Sequence, residues 1–384
     1  MTMTATRQVL IKKIQELRGS RLLVYVTGDR PPTVNNIGDD AVRPMVEHLR
    51  RMGSVEQLDL FIYSRGGAID VPWRLNSAFR STAKRWSALV PFRANSAATL
   101  LCLGADEIIL GHHGELGPID PIMSRGIPGQ TGPMQQQVSV EDIMAFPRFV
   151  TERFGLQDAP SQVAALNRLI DCLDAVTLGS AYRTHSHIRY LAEKMLKSRN
   201  EPADASVVET IVRTLAEKVY AHGHAVGLGE AQEVGLHAEG ASPQLEEAMW
   251  ALLEAYESDL KLLEPLDPYA VTQTQDIHTE ETAIAVIESE GLRHDHTGTL
   301  KVEAQRKMPD SLQVQLNMPI QFPPGMDPQD PAIQEMIQQL QNLVPQLAHA
   351  EVQKALKAQA PVTGFNLRVE NARWRSIDLD QGSS

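Results

Sequence analysis

Two successive strand–turn–helix segments constrain this chain more than anything else in it. Leu58-Asp59-Leu60-Phe61-Ile62-Tyr63 reads as a strand that stops at Ser64-Arg65-Gly66-Gly67, before a helical stretch from Ala68 to Ala83. Trp86 to Phe92 is a second strand-like run. It enters Arg93-Ala94-Asn95-Ser96, after which Ala97 to Leu103 is small, apolar and rich in helix formers. Upstream lie a helix over Thr6 to Leu17, a strand over Arg21 to Thr27, a loop from Gly28 to Gly38 and a helix from Asp39 to Met52. Such alternation predicts an α/β fold with a mostly parallel sheet, in which reactive groups gather at the carboxyl ends of strands. Gly66, Gly67 and Ser96 all fall at such ends.

Each turn has two readings. Paired glycines let backbone amides approach a ligand closely, or they simply make a tight turn. A serine between a strand and a helix is an ordinary N-cap, or it is a hydroxyl placed beside unpaired helix N–H groups and the positive end of the helix dipole, where an oxyanion is favoured.

The order YSRGG, then ANSAATLLCLGADEI, then GELGPIDP resembles the Clp/crotonase fold, and most closely the serine dehydrogenase proteinase family, relatives of signal peptide peptidase A and the Clp proteolytic subunit. Glu230-Ala231-Gln232-Glu233-Val234-Gly235-Leu236 is similar to a segment that closes that fold, so the resemblance runs from Thr6 to Leu263. Arg65 stands where the family usually has proline, and Ala97-Ala98 where many members have glycines. The resemblance implies a domain over 1–264 of stacked ββα-type units, a homo-oligomer, and a serine endopeptidase acting on a peptide or protein substrate. It implies Ser96 as nucleophile, with Gly66, Gly67 and Ala97 forming the oxyanion hole.

The base is carried over less directly. No lysine lies between Lys84 and Lys194, so the lysine of signal peptide peptidase A has no counterpart at the expected spacing. By order of elements, the Clp subunit's histidine falls near Ile119-Asp120-Pro121 and its aspartate near Ala221-His222-Gly223-His224. The two loops would then exchange roles: His222 or His224 as base for Ser96, oriented by Asp120, which is acceptable because a triad is defined by geometry and role. In the alternative reading the two histidines cap the helix ending at Tyr220 and Asp120 is a turn residue before Pro121. His112 and His113 are further candidates for the base.

Composition bounds the rest. A net charge of -12 argues against nucleic acid as a partner. Cys102 and Cys172 are the only cysteines and are expected to be buried and inert. The N-terminal residues carry no apolar run long enough for a signal peptide or membrane anchor, which points to a cytoplasmic protein. His185-x-His187 and His294-x-His296 lack completing ligands, so no metal site is expected, and no Walker or pyridoxal-phosphate motif suggests a cofactor.

Further helices are expected over Pro160 to Leu178, Thr184 to Leu196 and Val207 to Tyr220, with loop chemistry from Ser124 to Val138. Beyond Pro265 the character changes to an α+β region over 265–384, suited to assembly or partner binding. There a helix is expected over Ile277 to Glu290, paired strands over Leu300 to Gln305 and Leu312 to Gln321, a helix from Ala332 to Ala358 and a last strand over Phe365 to Ile377. Two rival functions are compatible with the same residues: an inactive oligomeric scaffold binding partners through this region, and acyl-CoA chemistry on the crotonase version of the fold.

Overall fold

A computed structural model describes residues 3–129, 132–218, 223–307 and 360–380, with isolated positions between 331 and 356. The chain forms two compact units: Met1–Pro265 with Glu281–Gly298 and Asn371–Ser384, and Leu266–Glu280 with Thr299–Glu370.

The first unit opens with α1 (Met3–Arg18), β1 (Arg21–Thr27), a 3-10 turn at Asp39–Ala41, α2 (Val42–Met52), β2 (Val55–Tyr63), α3 (Val71–Thr82) and β3 (Ala83–Val90). Then come β4 (Arg93–Ala94), α4 (Ala97–Cys102), β5 (Glu107–Leu110), β6 (Glu115–Leu116), β7 (Ile122–Gly129) and β8 (Gly132–Ser139). A helical portion follows with α5 (Val140–Phe154), α6 (Ala159–Cys172), α7 (Ala175–Lys197), α8 (Ala205–Arg213) and α9 (Leu228–Glu233), before β9 (Ala238–Gly240) and α10 (Pro243–Asp259). Next are α11 (Pro268–Val271), β10 (Ile277–Ser289), β11 (Leu292–Arg306) and β12 (Val362–Asp378).

The central sheet is mostly parallel, as the alternation predicts. Strands β1, β2, β3, β5 and β9 run side by side in parallel, and one register row crosses them as Leu23, Leu60, Ala88, Ile108 and Ala238. Parallel neighbours require crossover connections, which α2, α3 and α4 supply. Both faces of the sheet are buried, so its strands read as nearly continuous apolar runs. Leu23, Tyr25, Leu60, Ile62, Ala88 and Val90 pack into the layer containing α2, α3 and α4. Leu22, Val24, Val26, Phe61, Leu89 and Ile109 face the opposite layer, where Ile11 and Ile14 of α1 meet Leu245, Met249, Leu252 and Tyr256 of α10. Each fully buried side chain of this size contributes about 1.5–3 kcal/mol. Ile11 and Ile14 of α1 are thus committed to its own domain, while Val9 and Leu17 stay exposed.

Several local expectations change. Ile277 to Glu290 is strand β10, not a helix, because 285–289 pairs antiparallel with β1 and completes its hydrogen bonds. The stretch from Ser124 to Val138 is not a loop: β7 and β8 form an antiparallel hairpin from Ile122↔Ser139 to Gly129↔Gly132. Pro160 to Leu178 is two helices. Asp174 interrupts it, accepting from the N–H groups of Val176 and Thr177 as the N-cap of α7. Cys172 ends α6, which has no buried residue, so this thiol is exposed, whereas Cys102 is buried and its thiol is pushed up to about 12 by desolvation. The expected elements at 312–321 and 332–358 lie outside the described residues or at their isolated positions.

The first segment of unit one ends at Pro265, and the chain returns to that unit twice, at Glu281–Gly298 and Asn371–Ser384. Pairing of β10 with β1 explains the first return. The second is held by Trp374, whose Nε1 donates to Asp40 at 2.7 Å and whose ring stacks on His296, and by an ion pair of Arg51 with Asp378 at 3.2 Å. In the second unit Asp267 caps α11, Arg306 bonds Asp276 at 2.8 Å, and Arg368 pairs with Glu303 at 3.1 Å.

A buried polar relay fastens α2 to the β10–β11 hairpin. His48 Nδ1 lies 2.6 Å from Ser289 Oγ, His48 Nε2 lies 3.0 Å from His294 Nδ1, and His294 Nε2 lies 3.1 Å from Glu47. One tautomer assignment satisfies all three contacts with both rings neutral: Ser289 donates to His48, His48 to His294, and His294 to the Glu47 carboxylate. Desolvation, then His294 and Arg51, push His48 down to about 3.

A folded-state pKa below the unfolded value means that the unfolded chain takes up the proton first. The contribution of His48 to stability is therefore full above about pH 6.5 and is lost progressively as pH falls toward 3. Urea unfolding between pH 6.5 and 4.5 is expected to show stability falling with a slope approaching about 1.4 kcal/mol per pH unit. In His48→Asn that slope should flatten.

Candidate functional site

Ser64 builds the first turn. Its backbone N–H donates to Arg93 O at 3.2 Å and its carbonyl accepts from Asn95 N at 3.0 Å, so the end of β2 is tied to the start of the serine turn. Its buried hydroxyl accepts from Gly66 N at 3.1 Å and from Thr27 Oγ1 at 2.9 Å. Gly66 then takes φ +104°, which side chains resist. A Cβ there would stand 2.7 Å from Asn95 O, 2.8 Å from Ser96 Cβ and 3.0 Å from Ala97 N. The two turns, 30 residues apart in sequence, are thus in backbone contact.

Gly67 is braced from the other side. Ile37 N donates to Gly66 O at 2.8 Å and Ala68 N donates to Ile37 O at 2.9 Å. In a trans peptide the N–H of Gly67 points opposite to the carbonyl of Gly66, hence away from Ile37 and free for another acceptor. The brace also demands glycine, since a Cβ on Gly67 would fall 2.3 Å from Ile37 O.

Ser96 occupies the N-cap position of α4, yet its side chain makes no capping hydrogen bond. Its backbone is at φ 51°, ψ -115°, a conformation that costs a non-glycine residue about 1–3 kcal/mol and persists only when its surroundings impose it. The capping interpretation of this serine therefore loses its physical basis. The N–H of Ala97, at the first helical position, has no intrahelical acceptor. At six residues, α4 supplies this local donor rather than a long dipole.

Thr99 links the serine turn to the next segment. Its buried hydroxyl lies 2.6 Å from Ala94 O and 2.8 Å from Gly117 O, and accepts from Gly117 N at 3.0 Å. This fixes Gly117-Pro118-Ile119-Asp120, and the Ile119 N–H is held by Leu215 O at 3.0 Å. Asp120 arrives at a cavity of about 300 Å³ whose walls include Gly67, Ala68, Ile69, Ser96, Asp120 and Thr184.

The candidate bases are distributed differently. His222 lies outside the described residues. His224 is exposed, with Nε2 3.1 and 2.9 Å from the Glu230 carboxylate oxygens, and it does not line the serine cavity. His112 and His113 stack edge-to-face beside a second cavity of about 680 Å³, with Phe92, Glu115 and Glu246. Lys194 sits 3.9 Å above the Trp73 ring and Lys197 pairs with Glu193 at 3.1 Å. His185 contacts Glu141 and His187 contacts Asp70, each at 2.7 Å. No group of three or more His, Cys, Asp or Glu among the described residues could hold a metal ion.

Beside the cavity a charged cluster forms around Asp29, which, like Tyr63 and Arg93, carries no signal in the sequence. Asp29, at the end of β1, accepts from Tyr63 Oη at 3.0 Å, Arg65 Nε at 2.9 Å and Arg93 Nη1 at 3.4 Å. Burial and the Asp29 charge raise the Tyr63 phenol above its ordinary value. Only the parallel pairing of β1 with β2, and the return of the chain at β4, assemble this cluster.

No helix among the described residues is long and apolar enough to cross a membrane. No protein-family model matches the sequence. The chain is similar to two uncharacterized proteins of Methanocaldococcus jannaschii. It is 24% identical to MJ0137 over 222 residues, covering 56% of this chain and 65% of that protein, and 24% identical to MJ1495 over 117 residues, covering 29% of this chain and 40% of that protein.

Proposed function

We propose that the chain is a serine peptidase on a Clp/crotonase-like fold. What carries this reading is Ser96: a serine in a strained positive-φ turn, not used as a cap, in contact with Gly66 and opening on a cavity that Asp120 also lines. A sharp strand-to-helix turn of this kind is how a hydroxyl is lifted clear for attack on an acyl carbon.

In this reading Ser96 Oγ adds to the carbonyl carbon of the scissile peptide bond. The oxygen that gains charge is held by the N–H groups of Gly67 and Ala97, fixed before the reaction begins and so stabilising charge without reorganisation. A histidine of the 222–224 segment takes the hydroxyl proton and returns it to the leaving amine, with Asp120 orienting the ring. His224 would have to leave Glu230 to do so. Water then repeats the sequence on the acyl-enzyme. The working protein is proposed as a cytoplasmic homo-oligomer. The rival inactive scaffold draws on the same engagement of His224.

A fluorophosphonate probe is expected to label Ser96 in the folded protein, and Ser96→Ala should lose both labelling and peptide hydrolysis. Unlabelled wild-type protein would favour the scaffold. Gly66→Ala should lower hydrolysis by about 100-fold and destabilise the fold by about 1–3 kcal/mol, because the methyl group meets Ser96 Cβ at 2.8 Å. Labelling kinetics and urea unfolding read the two effects separately.

A further inference from the structure

Arg65 is the residue at which this chain departs from a proline in the Gly-Gly turn, and the structure gives the change a consequence. Arg65 lines the same cavity as Ser96. The Nε–H is held by Asp29 at 2.9 Å, and no described group accepts from its two Nη atoms. Fixing a guanidinium through Nε leaves the end-on pair of Nη donors pre-aimed, the edge that grips a carboxylate with two parallel hydrogen bonds.

The local charge balance agrees. Asp29 is shared between Arg65 and Arg93, so one carboxylate serves two guanidinium groups. Arg93 is turned away: it lies over the Phe92 ring at 4.4 Å and is 17% exposed, whereas Arg65 is 53% exposed. Glu257, close to Asp29 and Arg93, has its carboxyl raised by burial and then by Glu254 and Asp29, against the lowering effect of Arg93. Asp120, the acidic lining residue, is only 6% exposed. Arg65 is thus the exposed cation among the residues that line this cavity, on a chain whose net charge is -12.

We infer that Arg65 is a specificity-determining residue that selects substrates with a carboxylate beside the bond presented to Ser96. This rests on the reading of Ser96 as the reacting hydroxyl. The carboxylate can come from an Asp or Glu side chain or from a free peptide C-terminus, since both offer the same two oxygens. Ile69, Pro121 and Ile122 supply the apolar remainder of the wall, so the substrate class is a short acidic segment with an aliphatic neighbour.

The test uses quenched fluorescent peptides with Glu, Gln or Lys on either side of the scissile bond, each made with a free or an amidated C-terminus. Wild-type protein should cleave the carboxylate-bearing peptides about tenfold faster in kcat/KM than the Gln peptides, and added salt should shrink that ratio. The Glu series against the free-acid series tells which carboxylate is read. Arg65→Gln should bring the ratio to about one, and Arg65→Glu should turn it toward Lys.

Anisotropy binding of the same peptides to Ser96→Ala reads the preference without turnover. Cleavage with no acid preference, or a preference unchanged in Arg65→Gln, overturns the role of Arg65 and leaves the peptidase standing. Acid-selective binding abolished by Arg65→Gln, with no cleavage by wild type, overturns the peptidase and keeps Arg65 as a carboxylate reader. Neither binding nor cleavage overturns both.

Discussion

The contact between the Gly66 backbone and Ser96 is what the rest of the site depends on. No side chain intervenes between them, and no side chain could, because the space for a Cβ on Gly66 is already filled by Asn95 O, Ser96 Cβ and Ala97 N. The contact is held from both ends. Ser64 binds the serine turn through its own backbone, and Ile37 pins the glycine turn through the peptide groups on either side of Gly67. Strain at Ser96 is tolerated because neither turn can relax without breaking hydrogen bonds in the other.

That arrangement follows from the polarity of the sheet. With β1, β2, β3 and β5 parallel, every connection after a strand emerges on the same edge. Asp29, Arg65 and the stretch from Arg93 to Ser96 follow β1, β2 and β3 in turn and come together for that reason. The opposite requirement, a closed and rigid support, is met elsewhere. Arg7, Asp259, Glu288 and Arg293 form a buried ion network between α1, α10 and the β10–β11 hairpin, and the Ser289–His48–His294–Glu47 relay secures α2 to the same hairpin. Buried charges and imidazoles contribute less net energy than apolar packing, but they penalise any arrangement that leaves a partner unmatched.

Sequence periodicity made the parallel core legible. The apolar runs at 21–27, 58–63 and 86–90 are strands because a sheet covered on both faces needs no alternation, and the helices between them show their spacing plainly. The same reasoning failed at 277–290, where Ala283, Ile284, Ala285, Val286 and Ile287 fit a helix or a buried strand equally well. Only the vacant edge of β1 decided between them. It failed also at 124–138, where glycine and proline suggested a loop but the backbone pairs with itself across a hairpin.

From the chain alone one could read that Gly66-Gly67 and Ser96 close two adjacent strand ends, since glycine pairs and small-residue turns are local signals of local geometry. That Ser96 is strained and uncapped, that Ile37 and Ser64 brace the turns, and that Asp29 holds the Arg65 guanidinium through Nε were decided only by tertiary structure. Local sequence encodes the conformation a segment prefers. The partners that orient a charge or enforce a strained angle come from strands distant in the chain, and their spacing along the sequence carries no trace of the meeting.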